Sequence, residues 1–219
     1  MNHDLVDPLY FTRLAEQDPA DVCRRAVCTY DEAAGIYGLT VWGREYAVDP
    51  RQGRIFCVNP DPYPEPLHPY FDLFAVHYLL SATEVPPAGQ WISEKDIPGG
   101  STFFRGPHAV PTHGIASRFD EDIQGFTRRC EQYGGTRLAL ADAAFSFFIT
   151  PRVPVAVLFW QGDEEFPAEA KLLFDKTIAR HLASDIVYAL AVGVCEQLKH
   201  PDIQAMYYNP VPDSDGSFD

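Results

Sequence analysis

Apolar residues recur along the chain with the periods of helices and strands, and this pattern predicts most of its elements. A capping acid before a proline, Asp18-Pro19, marks the start of the first helix. Elsewhere, apolar positions three and four residues apart predict helices, and Gly134-Gly135 ends one of them. The predicted helices cover about 18–28, 69–82, 115–133 and 185–199.

Alternating apolar residues predict β-strands in two parts of the chain. Residues 38–58 are interpreted as three short strands of a meander, separated by Gly43-Arg44 and D-P-R-Q-G. Two later runs, 137–149 and 153–160, predict a hairpin with a bulge near Asp142-Ala143, and 170–175 predicts one more strand.

These elements predict an α+β fold with one mainly antiparallel sheet of about six strands and helices packed on it. Each half of the chain has three predicted strands followed by a helix that opens with His and Asp four residues apart, at 68–73 and 181–186. Two βββα units are therefore one way to build the sheet. We expect a single globular domain over 1–219, with a core over about 15–198 and an acidic, flexible tail over about 207–219.

Net charge, apolar run length and cysteine content indicate which partners and which cellular compartment to expect. The formal net charge is −14, from 31 acidic and 17 basic residues, which disfavours nucleic acid and anionic membrane surfaces. The longest apolar run, 186–194, is too short to span a bilayer, and no secretory signal follows Met1. None of the five cysteines forms C-x-x-C, although Cys23 and Cys28 lie close in sequence. We expect a cytoplasmic protein with reduced cysteines.

One segment concentrates reactive side chains without a helix or strand period: W-I-S-E-K-D-I-P-G-G-S-T-F-F-R-G-P-H, residues 91–108. Pro98-Gly99-Gly100 is interpreted as backbone geometry and Phe103-Phe104 as an anchor to the core. His108 is the candidate general acid or base, because imidazole titrates near neutral pH. The candidate ligand-binding residues of this segment are Trp91, Glu94, Lys95, Phe104 and Arg105.

An acidic turn, Q-G-D-E-E-F-P (161–167), follows the strand predicted over 153–160. Asp163 or Glu165 is the candidate catalytic partner of His108 across a cleft. Asp175 and His181 extend this polar set as candidate ligand-binding residues. His108 and His113 are weak candidates for metal ligation, because a zinc site needs further ligands. No metal site is therefore assigned, and the sequence identifies no cofactor.

Two ordered segments resemble a bacterial and archaeal family catalogued as a domain of unknown function and common in anaerobes. They are residues 91–108 and R-V-P-V-A-V-L-F-W-Q-G-D-E-E-F-P-A-E-A-K-L-L-F-D (152–175), which His181-Leu182 follows. The resemblance covers about 15–198. Some relatives carry an iron–sulfur or corrinoid-related module beside this domain, which implies a role near metal-cofactor proteins. This chain has no cluster-binding cysteine set, so any cluster would sit on a partner.

Three functions are consistent with these features. The first is a cytoplasmic ligand-binding or accessory domain with a pocket between the 91–108 loop and the 161–167 turn. The second is an enzyme that uses His108 with Asp163 or Glu165. The third is a non-catalytic acidic protein that docks a cofactor-bearing partner. The expected partner is accordingly a small molecule or a cofactor-bearing protein.

Overall fold

The computed structural model describes residues 5–58 and 67–200. The tail predicted over 207–219 lies outside these ranges, as does most of the proline-rich segment 59–69. Eight α-helices lie within the described residues: α1 Pro8–Ala15, α2 Pro19–Ala26, α3 Tyr70–Ser81, α4 Gly100–Phe103, α5 His113–Phe119, α6 Ile123–Gln132, α7 Ile178–His181 and α8 Ser184–Lys199. In neither described range is any helix both long enough and apolar enough to cross a bilayer.

The first sheet is an antiparallel meander in the order β1-β2-β3-β4. Its last three strands confirm the meander predicted over 38–58, and β1 extends it at one edge. The strands are β1 Thr29–Asp31, β2 Ile36–Val41, β3 Arg44–Asp49 and β4 Arg54–Cys57.

The second sheet has the order β5-β9-β8-β7-β6 and is antiparallel throughout. Its central hairpin confirms the pair predicted over 137–149 and 153–160. The register shift lies between Phe148 and Thr150 rather than near Asp142. The strands are β5 Trp91–Ile92, β6 Thr136–Arg137, β7 Ala143–Thr150, β8 Val153–Trp160 and β9 Glu169–Asp175.

The α+β class is confirmed, but the strands form two sheets, of four and five strands, rather than one of about six. The sheets meet where the β2–β3 turn reaches β7, through one hydrogen bond from the Trp42 N–H to the Ile149 carbonyl at 2.7 Å. A single bond is not a ladder, so the sheets stay separate. The Trp42 ring packs on Phe71 and Phe147, which places both sheets against one apolar core.

The element order agrees with two βββα units. Strands β2–β4 precede α3, and strands β7–β9 precede α8 with the short α7 between them. Helices α3 and α8 pack against each other closely. A Cβ on Gly193 of α8 would lie 3.1 Å from the ring of Phe71 in α3, so glycine allows this approach.

Two predicted elements are broken in the structure. The helix predicted over 115–133 divides into α5 and α6 at Asp120, whose φ of 20° is not helical. Asp122 starts α6 by accepting a hydrogen bond from the Gly125 N–H at 2.7 Å. The strand predicted over 137–149 also divides, because the chain turns back at Ala141, with φ 53°, so that β6 pairs with β7.

Residues 91–108 consist of four short elements: β5, a 3₁₀ turn at Glu94–Asp96, α4, and a second 3₁₀ turn at Gly106–His108. Gly99 has φ 76°, a conformation that favours glycine. A Cβ on Gly100 would lie 2.0 Å from the Glu94 carbonyl oxygen. The interpretation of Pro98-Gly99-Gly100 as backbone geometry is therefore confirmed.

Candidate functional site

The second half of the 91–108 loop packs on α8. The His108 ring stacks on Phe103 at 4.7 Å and meets Tyr188 edge-on at 5.4 Å. The Tyr188 hydroxyl donates to the Pro107 carbonyl at 2.9 Å, which fixes the loop to the helix. Phe104 is buried, as predicted for an anchor, while Arg105 and His108 are exposed.

The acidic turn is closed by its own first acid. The Asp163 carboxylate accepts the N–H groups of Phe166 and Glu165, each at 2.8 Å. These two hydrogen bonds lower the pKa of Asp163. Asp163 and Glu165 are exposed, and neither has a hydrogen bond, ion pair or ring contact with His108 in the described chain. The acid–base pairing of His108 with Asp163 or Glu165 therefore stays a prediction.

Asp175, a candidate ligand-binding residue, accepts hydrogen bonds from two segments of backbone. It is 1% exposed and accepts the N–H groups of Ala88, Gly89 and Thr177 at 3.0, 2.7 and 2.9 Å, and the Thr177 hydroxyl at 2.7 Å. Burial disfavours the charged carboxylate, but these hydrogen bonds outweigh it and lower the pKa of Asp175. This carboxylate has its acceptor capacity occupied by the fold.

His181 likewise joins two elements. The ring is 1% exposed, and its Nδ1 accepts the Thr83 N–H at 3.2 Å. The Ser81 hydroxyl donates to the His181 carbonyl at 2.7 Å, so α7 is tied to the end of α3. Burial, and then the charge of Arg152, lower the pKa of His181, which keeps the ring neutral.

The described residues contain no cluster of side chains that could ligate a metal ion. The His108 ring contacts Phe103 and Tyr188, whereas His113 is the first residue of α5. Within 5–58 and 67–200, no group of three or more His, Cys, Asp or Glu side chains is arranged to hold an ion.

A groove of about 840 Å³ lies between the 3₁₀ turn at Glu94–Asp96, helix α5 and strand β9. We call it the α5–β9 groove. Its volume falls within the range of about 300–1,000 Å³ that is typical of ligand clefts. It is lined by Ser93, Glu94, Lys95, Val110, Thr112, His113, Ala116, Ser117, Asp120 and residues 167–173.

The groove unites parts of both segments that the sequence singled out. Glu94 and Lys95 come from the loop, and Pro167 ends the acidic turn. Trp91 lies beside the groove, where it pairs with Asp175 in the sheet. Ser117, Asp120 and Lys171 were not predicted, because the spacing within a helix or strand does not show which cleft a face will line.

Among residues 5–58 and 67–200, no strand pairs with the groove side of β9 over residues 169–173, because β5 pairs only with 174 and 175. The Lys176 N–H donates to the Gln90 carbonyl at 2.8 Å, which sets the alternation of hydrogen-bonding groups along β9. Every second residue before Lys176 directs its N–H and C=O groups to the same side as Lys176, that is, toward β5. These residues are Phe174, Leu172 and Ala170. That side is the groove.

The ionisable side chains of the groove are mixed in sign. Lys171 pairs with Glu169 at 3.0 Å and lies over the Trp160 ring at 5.1 Å. The side chains of Glu94, Lys95, His113 and Asp120 make no hydrogen bond or ion pair with any other residue that the structure describes. Four groups that the fold does not use therefore face one cleft.

Comparison with known protein families finds a match. The family model described as a domain of unknown function (DUF3786) matches residues 18–197, a range that includes the whole α5–β9 groove. No curated protein and no solved structure matches the chain.

Proposed function

The chain belongs to the family of domains of unknown function DUF3786, and we propose that it is a peptide-binding accessory domain. The ligand is an extended segment of another protein, held in the α5–β9 groove. This proposal keeps the binding function expected from the sequence and moves it from Arg105 and His108 to the groove.

The observation that carries the proposal is the β9 edge at 169–173, with which no strand pairs in the part of the chain that the structure describes. Backbone N–H and C=O groups on an open strand edge pair readily with another strand, which is how many domains bind peptides. The free stretch 169–173 has five residues, or about 17 Å at the rise of a β-strand. A segment of about five residues therefore fits it and would extend the line of β5.

The walls favour a peptide over a compact small molecule. A small ligand needs a few converging polar groups, whereas here the polar side chains are spread along the cleft. Lys95 and Glu94 stand near one end, while Asp120 and Glu169 stand near the end by the acidic turn. This spread matches a ligand whose side chains alternate along an extended backbone.

The cytoplasm is the compartment in which we place this activity. The five cysteines are free thiols, a state that a reducing compartment maintains. The net charge of −14 continues to disfavour nucleic acid as the bound partner.

A groove-filling variant tests the proposal. Ser117 is an exposed residue of α5 in the groove, so Ser117→Trp should fill the cleft without disturbing the core. Ser101→Trp is the matched control, because Ser101 is an exposed helical serine outside the groove. The probe is a phage-displayed library of random heptapeptides selected on the wild-type chain.

Selected peptides should bind the wild type and Ser101→Trp equally and lose at least tenfold in affinity on Ser117→Trp. Isothermal titration calorimetry of synthetic peptides gives these affinities. Peptides that bind both tryptophan variants equally would place the site elsewhere. A library that yields no binder would remove the peptide hypothesis.

A further inference from the structure

Cys23 and Cys28 approach each other at the junction between α2 and the first sheet. Their sulfur atoms are 3.8 Å apart, with the Cys28 thiol donating to the Cys23 sulfur. Cys23 lies in the last turn of α2, and Cys28 directly precedes β1. Both residues are partly exposed, so a small reagent can reach this pair from solvent.

The turn between them holds the two cysteines together. Val27 caps α2 with φ 53° and ψ 53°, a left-handed conformation that folds the chain back over the helix end. The Cys23 carbonyl accepts the N–H groups of both Val27 and Cys28, the latter at 3.2 Å. The left-handed region is unfavourable for a β-branched residue, so this turn is imposed by its surroundings.

We propose that Cys23 and Cys28 are a redox-active dithiol, which a small-molecule disulfide such as oxidised glutathione converts to an intramolecular disulfide. A disulfide needs sulfur atoms about 2.05 Å apart. From 3.8 Å, a change of side-chain torsion angles brings them together while the backbone hydrogen bonds stay in place.

The hydrogen bond between the thiols assigns their roles. Burial, and then the neighbouring Cys23, raise the pKa of Cys28, so Cys28 keeps its proton and donates it toward Cys23. Cys23 is therefore the attacking sulfur. Its thiolate attacks one sulfur of the oxidised glutathione, forms a mixed disulfide and releases one glutathione thiolate. The Cys28 sulfur, after losing its proton to solvent, then displaces the second glutathione.

Two electrons and two protons balance in this exchange, since two cysteine thiols become one disulfide and one glutathione disulfide becomes two thiols. Cys130 and Cys195 are buried with no exposed surface. Burial raises the pKa of both thiols, to about 12 for Cys195. They should therefore stay reduced in the folded protein.

The test uses the full-length native chain, equilibrated in buffers of reduced and oxidised glutathione over a range of ratios. The samples are quenched with acid, alkylated with N-ethylmaleimide in denaturant and digested with trypsin. Trypsin cuts after Arg24 and Arg25, between the two cysteines, so their disulfide would link two separate peptides, 14–24 and 26–44. Mass spectrometry then identifies the bond directly.

We expect the 14–24/26–44 cross-link to form at oxidising ratios, with the other three cysteines alkylated. Cys57→Ser, which removes another partly exposed cysteine, should leave the cross-link unchanged. Cys28→Ser should instead trap glutathione on Cys23. Recovery of both cysteines as alkylated thiols at every ratio would overturn the proposal, as would glutathione on both cysteines without a cross-link. Neither result depends on the α5–β9 groove.

Discussion

Asp175 offers a direct test of how the structure holds the loop before β5 in place. Its carboxylate accepts four hydrogen bonds and is 1% exposed, so Asp175→Ala leaves three N–H groups and a hydroxyl without their acceptor. A hydrogen bond to a charged group contributes about 1.5–3 kcal/mol, and an abandoned buried donor costs about 1–3 kcal/mol. Part of this is offset because the variant no longer buries a charge.

We therefore expect Asp175→Ala to reduce the free energy of unfolding by about 3–5 kcal/mol. For a chain of this size each kcal/mol corresponds to about 2–4 °C, so Tm should fall by about 6–20 °C. Differential scanning calorimetry measures this. Asp163→Ala is the matched control, because that carboxylate also accepts backbone N–H groups but is exposed. Equal losses of Tm in the two variants would refute the role given to burial.

The pH dependence gives the same reasoning a second check. The pKa of Asp175 is lower in the folded chain than in the unfolded chain. Its stabilisation is therefore complete above the unfolded value of about 3.9 and is lost as pH falls through the folded value. The difference in unfolding free energy between wild type and Asp175→Asn should be constant near neutral pH and shrink below about pH 4. A difference that is unchanged down to pH 2 would contradict the assignment.

Two other sets of residues give further predictions. Gly100→Ala should destabilise the chain by more than Gly99→Ala, because the Cβ at position 100 would lie 2.0 Å from a backbone oxygen. Gly99→Ala only places an alanine at positive φ, at a cost of about 1–2 kcal/mol. Urea unfolding compares the two variants, and equal losses of unfolding free energy would contradict the close contact at Gly100. Burial lowers the pKa of His68, His77 and His181. Below the unfolded value of about 6.5 the unfolded chain therefore binds more protons, and the free energy of unfolding should fall between pH 7.5 and 5.5; a constant free energy over that window would show that these rings are not held neutral.

Elements with a strong local pattern could be predicted from the sequence. The cap Asp18 with Pro19 gives α2 its first residue, and the apolar spacing of α3 and α8 gives both helices within two residues of their bounds. The same cap signature occurs at Asp7-Pro8, where α1 begins and no helix was predicted. In these cases the determining interactions lie within one turn of the residue concerned.

Elements set by non-local pairing could not be predicted in the same way. The apolar spacing predicts one continuous helix across Asp120. Asp122 nevertheless signals a new helix start, because its carboxylate accepts the N–H of Gly125, three residues later. The apolar spacing also predicts one continuous strand across Ala141. In the structure the chain reverses there, so that Thr136 pairs with Ser146. Both breaks allow non-local contacts that stabilise the folded chain, and the spacing of apolar residues does not reveal those contacts.

The candidate site shows the same limit. The sequence marks residues 91–108 as lacking a helix or strand period and 161–167 as an acidic turn, and the side chains of these two segments divide among several environments. Glu94 and Lys95 reach the α5–β9 groove only because β5 pairs with the far end of β9. The burial of Asp175 and His181 depends on packing between segments about 90 residues apart. Such proximity requires the tertiary structure.

The three tryptophans lie in different environments, so the intrinsic fluorescence of the protein can report on its state. Trp42 is buried among aromatic rings between the sheets, whereas Trp91 and Trp160 are half-buried and pack near Leu173 beside the groove. Lys171, which lines the groove, holds its ammonium over Trp160. Movement of that cation changes the field at the indole and hence its emission. With Trp91 replaced by Phe, global unfolding would report through Trp42 and groove occupancy through Trp160, at separable wavelengths and without an attached dye.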